Sequence, residues 1–378
     1  MAADTSTAPP PEKVPFNDLS LQWRAIEAGV KADFEDVFKT SAFCLGPHAV
    51  KFEAEIATWA GARHAIGVNS GTSALHLAML ANDIGPGDEV LIPAQTFIAT
   101  AWGVIYANAT PVLCDVDEAT ATIDLADAER RITTRTKAIM PVHLYGQPAD
   151  MAAVRAFADK HGLIVVEDAA QSIGARYGDA MTGTIGACGC VSFYPGKNLG
   201  AAGEAGLVFT NDDAIADRLR SLRNHGQRER YVSTEIGYNY RLDGLQAVVL
   251  RHKLKLMDGW IAERKRLAGL YQEALAGLPI AVPRIVNGDH VWHLFVIRSE
   301  KREAIRQHLT ARGIETGLHY PVPVHRQPCM ASYGYDVAAY PVADRWSNEG
   351  LSLPLFVGMS EAQVACVASA IREALGHG

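Results

Sequence analysis

Short apolar segments alternate with segments of helical character between residues 64 and 211. Most of the apolar segments are continuous rather than interrupted by polar residues, which is typical of strands buried on both faces of a parallel sheet. We predict strands over residues 64–68, 89–93, 111–116, 138–144, 163–167, 189–193 and 206–210. We predict helices between them over residues 73–82, 96–107, 150–161 and 214–223. This order predicts an α/β fold with a mostly parallel central sheet and helices on both faces.

The sequence after Arg241 has a different character. A long helical segment is expected over residues 241–278, with a bend near Asp258 and Gly259. A strand over 292–297, a helix over 302–312 and a last helix over 361–375 are predicted after it. We therefore predict three parts, which are a disordered N-terminal tail (1–13), a large domain (14–258) and a small C-terminal α+β domain (259–378).

Composition and charge exclude several classes of protein. The chain has 378 residues and a formal net charge of −7, whereas a general nucleic-acid binder carries a basic excess. No apolar stretch approaches the ~20 residues of a membrane helix, and the N-terminus lacks the basic start and apolar segment of a secretion signal. The six cysteines lack metal-ligand spacing, so we expect free thiols, a cytoplasmic protein and no metal site.

Two polar residues follow apolar strands at positions where ligands collect in such sheets. Asp168 ends the strand that begins at Leu163, and Lys197 follows the strand over 189–193 within Ser192-Phe193-Tyr194-Pro195-Gly196-Lys197. Pyridoxal phosphate (PLP) needs an amine to hold its aldehyde and a carboxylate to face its pyridinium nitrogen. We predict that Lys197 and Asp168 do this, although a lone lysine is usually a surface residue and Asp168 also suits a helix N-cap.

Other polar and aromatic residues suit the rest of a phosphate-bearing cofactor. Asn69-Ser70-Gly71-Thr72-Ser73 opens a predicted helix, whose N-terminus can bind phosphate or can simply be capped. Phe97 follows the next strand, where its ring can stack on a flat cofactor or fill the core. Gln171 can contact the ring oxygen of the cofactor, but together with Asp168 it also resembles a capping box.

Together these motifs resemble the DegT/DnrJ/EryC1/StrS sugar aminotransferase family, a branch of the fold-type I PLP enzymes. The resemblance covers nearly the whole chain from Pro15 onward. Its most specific pieces are Asn69-Ser70-Gly71-Thr72-Ser73-Ala74-Leu75, Glu167-Asp168-Ala169-Ala170-Gln171, Ser192-Phe193-Tyr194-Pro195-Gly196-Lys197 and Gly237-Tyr238-Asn239-Tyr240-Arg241-Leu242. The resemblance implies an enzyme that moves an amino group from glutamate to a keto-deoxysugar linked to a nucleotide.

The resemblance also implies a role for each matching residue. Lys197 would hold PLP as a Schiff base, and Asp168 would pair with the pyridinium. The phosphate would be bound by Gly71, Thr72, Ser73 and Ser192, while Gln171 would contact the ring hydroxyl and Phe97 would stack on the ring. Asn239 would reach the phosphate in the neighbouring subunit, which implies a homodimer with shared active sites.

The segment around His319 and Tyr320 resembles the members that aminate C3 of the sugar, and these two residues would then face the substrate. Amination at C4 and amination of an aminocyclitol stay open as alternatives.

A PLP-dependent sugar dehydratase is disfavoured because such members replace the lysine with histidine. An NAD-dependent dehydrogenase would need a Gly-x-Gly-x-x-Gly turn, which the sequence lacks. A PLP-binding regulator would usually carry an added DNA-binding domain, for which the thirteen-residue tail is too short.

Overall fold

The computed structural model describes residues 13–376. The predicted disordered tail lies outside the described residues, except for Lys13, whose ammonium group is 2.9 Å from the carboxylate of Glu315. No helix within residues 13–376 is both long enough and apolar enough to cross a membrane.

The central element is a seven-stranded sheet with the order β1-β9-β8-β5-β4-β2-β3. The strands of the described chain are β1 (His64–Val68), β2 (Glu89–Pro93), β3 (Thr110–Cys114), β4 (Thr136–Ile139), β5 (Ile164–Asp168), β6 (Arg176–Tyr177), β7 (Ala180–Met181), β8 (Cys188–Ser192), β9 (Gly206–Thr210), β10 (Gln227–Glu229), β11 (Val232–Ser233), β12 (Phe295–Arg298) and β13 (Gly350–Leu353). Only β9 runs against its neighbours in this sheet, so the prediction of a mostly parallel α/β sheet is confirmed.

Helices surround this sheet and continue beyond it. They are α1 (Ser20–Thr40), α2 (Pro47–Ala60), α3 (Gly71–Ala81), α4 (Ala99–Tyr106), α5 (Leu125–Arg131), α6 (Met151–His161), α7 (Asp213–Leu222), α8 (Gly244–Leu254), α9 (Met257–Ala274), α10 (Arg302–Ala311), α11 (Pro341–Glu349) and α12 (Glu361–Leu375). Every residue of β2 and of β9 is buried. Because successive side chains of a strand point to opposite faces, both faces of the sheet are covered.

The C-terminal part of the chain has its own apolar cluster, which includes Tyr271, Phe295 and Ile371. Strands β12 and β13 pair antiparallel beside it. The predicted boundary between residues 258 and 259 falls in the first turn of α9. The division into a large and a small domain stays a prediction.

Several predicted element boundaries are wrong, each for a local reason. Strand β4 ends at Ile139 rather than at 144, since Pro141 has no N–H for the ladder and Tyr145 has a φ of 61°. Strand β12 starts at Phe295 rather than at 292 because the backbone of Trp292 has a φ of 51°. The long helix predicted over 241–278 is two helices, α8 and α9, and their break lies before Met257 rather than at Gly259.

Candidate active site

A cavity of about 660 Å³ opens at the carboxyl ends of β1, β2, β5 and β8. The parallel run of these strands brings together groups that are far apart in the sequence. Nine of the predicted site residues line this cavity: Gly71, Thr72, Phe97, Asp168, Gln171, Ser192, Lys197, His319 and Tyr320. Ser73 and Asn239 are not among its lining residues.

Lys197 is held on a tight turn that follows β8. Its backbone N–H donates to the carbonyl oxygen of Tyr194 at 2.8 Å. A Cβ on Gly200 would lie 2.2 Å from the carbonyl oxygen of Pro195, so the turn requires glycine there. Burial among protein atoms lowers the pKa of Lys197 to about 8, and the nearby Asp168 carboxylate opposes this shift. The amine is therefore partly uncharged near neutral pH.

Asp168 is the last residue of β5, and a turn rather than a helix follows it. Its carboxylate accepts hydrogen bonds from the hydroxyl of Thr100 at 2.8 Å and from the N–H of Ala170 at 3.1 Å. Burial raises the pKa of Asp168, while these donors and the charge of Lys197 lower it. The N-cap and capping-box alternatives for Asp168 are wrong, because no helix begins there. A cation placed against this carboxylate would stabilise its ionised form.

The N-terminus of α3 meets the end of β8 at the opposite side of the cavity. Ser70 caps the helix, since its hydroxyl accepts from the N–H of Ser73 at 3.0 Å. A Cβ on Gly71 would lie 2.7 Å from the Cβ of Ser192. The close approach leaves the helix N–H groups and the Thr72 and Ser192 side chains at the cavity wall. This arrangement suits a phosphate group.

The hydroxyl of Ser73 is turned toward its own loop. It donates to Oδ1 of Asn69 at 2.6 Å and lies 2.9 Å from the hydroxyl of Ser70. Ser73 is therefore satisfied within the loop, and its assignment as a phosphate ligand stays a prediction.

Aromatic rings form one wall of the cavity. Phe97 is 51% exposed, so it is not a core residue, and its ring lies 5.3 Å from that of Tyr320. The amide nitrogen of Gln171 donates to the hydroxyl of Tyr320 at 3.0 Å, and its oxygen accepts from the N–H of Tyr145 at 2.7 Å. The structure thus ties Gln171 to Tyr320 and leaves about half of Phe97 accessible at the cavity, where it could contact a flat ligand.

His319 packs against Phe16, with the two ring centroids 5.8 Å apart. Its Nδ1 lies 2.8 Å from the hydroxyl of Ser352. Burial and the charge of Lys197 lower the pKa of His319 to about 4. It is therefore a neutral hydrogen-bonding group at neutral pH.

Asn239 is exposed and lies outside the cavity, next to Asn69 on the surface of the chain. The backbone of Asn239 forms a bridge with Asn224, which fixes the segment without directing it into the site of its own chain.

Among the lining residues that were not predicted from the sequence, Thr100, Arg264 and His293 matter most for the chemistry. Thr100 donates to Asp168, and Arg264 and His293 come from the C-terminal half of the chain. Arg264 is buried and donates to the carbonyl oxygens of Trp292 and Leu355 at 3.1 and 3.0 Å. Only Thr100 carried a signal in the sequence, because it lies one helical turn after Thr96 and soon after β2. In the structure the two threonine hydroxyls are 2.8 Å apart.

The chemistry of this donor set fits PLP. Lys197 and Asp168 line one cavity, and the close contact of Gly71 with Ser192 brings the N-terminus of α3 beside the end of β8, which matches a phosphate subsite. Phe97 lines the same cavity and is half exposed. Lys197 would hold the aldehyde, Asp168 the ring nitrogen, and Thr72 with Ser192 the phosphate.

The fold and this site define a PLP-dependent transferase of fold type I. The family model described as DegT/DnrJ/EryC1/StrS aminotransferase matches residues 25–372. The chain belongs to this family.

Similar proteins agree with this assignment. The dTDP-3-amino-3,4,6-trideoxy-alpha-D-glucose transaminase of Streptomyces venezuelae is 46% identical over 363 residues, which cover 96% of each chain. The UDP-N-acetyl-3-dehydro-alpha-D-glucosamine 3-aminotransferase of Acidithiobacillus ferrooxidans is 43% identical and covers 97% of this chain and 98% of its own. The structure of NtdA from Bacillus subtilis with bound cofactor PMP has a TM-score of 0.90 at 30% identity, covering 97% of this chain and 86% of that one.

Proposed function

We propose that this protein is a PLP-dependent aminotransferase that moves an amino group from glutamate to C3 of a keto-deoxysugar linked to a nucleotide. The observation that carries the proposal is the placement of Lys197 and Asp168 in one cavity, beside an open helix N-terminus. Burial lowers the pKa of Lys197 to about 8, which favours the free amine. Burial raises the pKa of Asp168, and a cationic ring placed against it would stabilise the ionised carboxylate.

The cofactor, when bound, supplies an aldehyde that takes the amino group and a ring that accepts the electrons of the C–H bond being broken. Lys197, with its pKa near 8, takes a proton from the α-carbon of the donor and returns it within the site. Asp168 keeps the ring nitrogen protonated. The Phe97 ring fixes the plane of the bound ring, and the N-terminus of α3 anchors its phosphate.

Glutamate as the donor is carried over from the family resemblance. The lining holds two acids, Asp168 and Glu204, and two cations, Lys197 and Arg264, so its charge alone does not select the donor. The Arg264 guanidinium is the lining group that could pair with a carboxylate of the donor.

Amination at C3 is supported by the two relatives whose names specify a 3-amino product or a 3-keto substrate. His319 and Tyr320 line the cavity next to Phe97, where the sugar would approach. We assign these two residues to the substrate. The 4-keto-sugar and the aminocyclitol are the alternative acceptors that the assay below separates.

A homodimer in the cytoplasm completes the proposal. In one chain Asn239 lies outside the cavity, and the neighbouring segment exposes apolar side chains, with Tyr231 at 81% and Ile236 at 87% exposure. A second copy that covers this segment would carry Asn239 to the phosphate of its neighbour.

A coupled amination assay tests the proposal. Purified protein with PLP and glutamate is offered 3-keto and 4-keto deoxysugar nucleotides and a keto-cyclitol, and the position of the new amine is determined by NMR. We expect a 3-amino sugar nucleotide together with 2-oxoglutarate, and no product from Lys197→Ala. Amination at C4 alone, or full activity of Lys197→Ala, would contradict the proposal.

A further inference from the structure

Asn198 follows Lys197 and connects the turn of the lysine to the segment that leads into β12. Asn198 is buried, and its side-chain Nδ2 donates to the carbonyl oxygen of Val291 at 3.0 Å. Its Oδ1 lies 3.3 Å from Nδ1 of His293, a residue 95 positions away in the sequence. Since Nδ2 is engaged with a carbonyl, Oδ1 is the acceptor in the second bond. Nδ1 of His293 must then carry the proton.

The second ring nitrogen of His293 is a hydrogen-bond acceptor. Burial lowers the pKa of His293 well below its usual range, and the charges of Lys197 and Arg264 lower it further. The ring is therefore neutral, with its single proton on Nδ1 and a lone pair on Nε2. Within residues 13–376, Nε2 has no hydrogen-bond partner in the structure.

His293 lines the same cavity as Lys197. The ring is partly accessible, although protein surrounds it, so its accessible part faces the cavity rather than bulk solvent. Asn198 joins the two residues directly, because it follows Lys197 in the chain and bonds to the ring of His293. The ring of His293 is thus tied to the residue that follows Lys197, and both residues line one cavity.

We propose that His293 is a positioning residue for Lys197, in which Nε2 accepts a hydrogen bond from the lysine amine whenever that amine is free. The proposal rests on the role of Lys197 given above. An acceptor at this point would fix the direction in which the amine of Lys197 points. It also stabilises the protonated amine, so its removal lowers the pKa of Lys197.

Other charged and titratable groups around the pair come from several elements. They are Asp168 on β5, Arg264 on α9, His290 and His319 near the small sheet, and Glu204 before β9. Asp168 raises the pKa of Lys197, whereas Arg264 and His319 act on His293 in the same direction as Lys197 does. His319 is also neutral, but its Nδ1 lies 2.8 Å from the hydroxyl of Ser352 and its ring packs against Phe16. His293 is the ring that Asn198 ties to the turn of Lys197, and the acceptor role is therefore assigned to His293.

The test measures how fast the cofactor-free protein takes up PLP, by the absorbance of the bound cofactor, as a function of pH. Uptake needs the unprotonated amine, so the midpoint of the profile reports the pKa of Lys197. We expect His293→Phe to move this midpoint about one pH unit lower than in the unaltered protein. His293→Gln, whose amide oxygen restores an acceptor, should return it to the original pH.

His290→Gln is the matched control. His290 is buried in the same segment, and its Nδ1 accepts from the N–H of Trp292 at 2.9 Å, but it is not a lining residue of the cavity. This change should leave the midpoint where it is. A second measurement uses nitrogen-15 NMR of the cofactor-free protein, in which the ring of His293 should be neutral and protonated on Nδ1.

Each outcome decides one question. Equal midpoints for the unaltered protein and His293→Phe, equal shifts for the Phe and Gln variants, or a proton on Nε2 would each overturn the role of His293. If the unaltered protein itself takes up no PLP, the proposed function fails instead. A folding defect in the Phe variant is recognised by circular dichroism, and the NMR result then decides alone.

Discussion

At the scale of single residues, the site is built from two groups whose ionised forms are costly to bury. Burial lowers the pKa of Lys197 and raises that of Asp168, while the attraction between them opposes both shifts. A cation bound against Asp168 would lower the pKa of its carboxyl group. A covalent bond to the amine of Lys197 would remove the need to bury a charged ammonium group. Without its cofactor, the cavity therefore holds a reactive amine close to its neutral form.

This balance predicts the pH profile of cofactor uptake. Because the pKa of Lys197 is about 8, the rate should rise about tenfold from pH 6 to pH 7 and level off above pH 8. Asp168 raises that pKa, so Asp168→Asn should move the midpoint to lower pH. Stopped-flow absorbance of the bound cofactor measures both profiles.

A second buried lysine provides the control for this experiment. Lys253 also has a pKa lowered to about 8 by burial, but it donates to Gln22 and does not line the cavity. Lys253→Met should keep the profile of the unaltered protein. A midpoint near 10 in the unaltered protein, or a shift to higher pH in Asp168→Asn, would show that burial does not control Lys197.

At the scale of elements, the phosphate subsite depends on how closely α3 approaches the end of β8. Gly71→Ala places a Cβ 2.7 Å from the Cβ of Ser192 and 3.2 Å from its Cα, so helix and strand must separate. We expect at least a tenfold weaker affinity for PLP and a loss of about 1–3 kcal/mol in the free energy of unfolding. Absorbance titration and chemical denaturation measure the two effects.

Gly269→Ala is the matched control for this substitution. Gly269 lies inside α9, and nothing would be within 4 Å of its new Cβ. Alanine there should stabilise the protein by about 0.5–1 kcal/mol and leave the PLP affinity unchanged. If Gly71→Ala behaves in the same way, the close contact of α3 with β8 does not form the phosphate site.

The elements that the sequence predicts well are those governed by local burial alone. Strands β1, β2 and β9 have the predicted bounds because their apolar residues are continuous. Strand β3 ends early, at Cys114 instead of 116, because the Asp115 carboxylate accepts from the N–H groups of Val116 and Ala343. That second partner is distant in the sequence, so no local pattern shows it.

The residues of the site likewise fall into those that the sequence predicts and those that depend on distant packing. Residues at strand ends, such as Asp168 and Ser192, were found because the topology of a parallel sheet collects them at one edge. His293 and Arg264 were missed because they reach the cavity through the packing of the C-terminal part against the sheet. Their neighbours in the sequence are apolar core residues or surface charges, and neither pattern predicts a ligand site.

At the scale of the whole molecule, one chain leaves the proposed site incomplete. The segment that contains Asn239 exposes Tyr231, Val232 and Ile236, with 51–87% of each side chain accessible. Exposed apolar residues in such a group suit contact with another protein surface. In the proposed homodimer, this surface would lie against its copy, and each cavity would receive an asparagine from the neighbour.

Shared sites predict that two inactive variants restore activity when they form mixed dimers. Lys197→Ala disables the cavity of its own chain, and Asn239→Leu disables the cavity of the neighbour. In a mixed dimer, one cavity then combines an intact Lys197 with an intact Asn239, and the other has neither.

The mixed dimer is purified after co-expression with two different affinity tags. We expect about half of the activity of the unaltered dimer, because one of its two cavities is complete. Each variant alone should stay inactive, and sedimentation should give twice the mass of the chain. Absence of restored activity in purified mixed dimers would mean that each chain builds its site alone, and Asn239 would then serve the structure of its own surface segment.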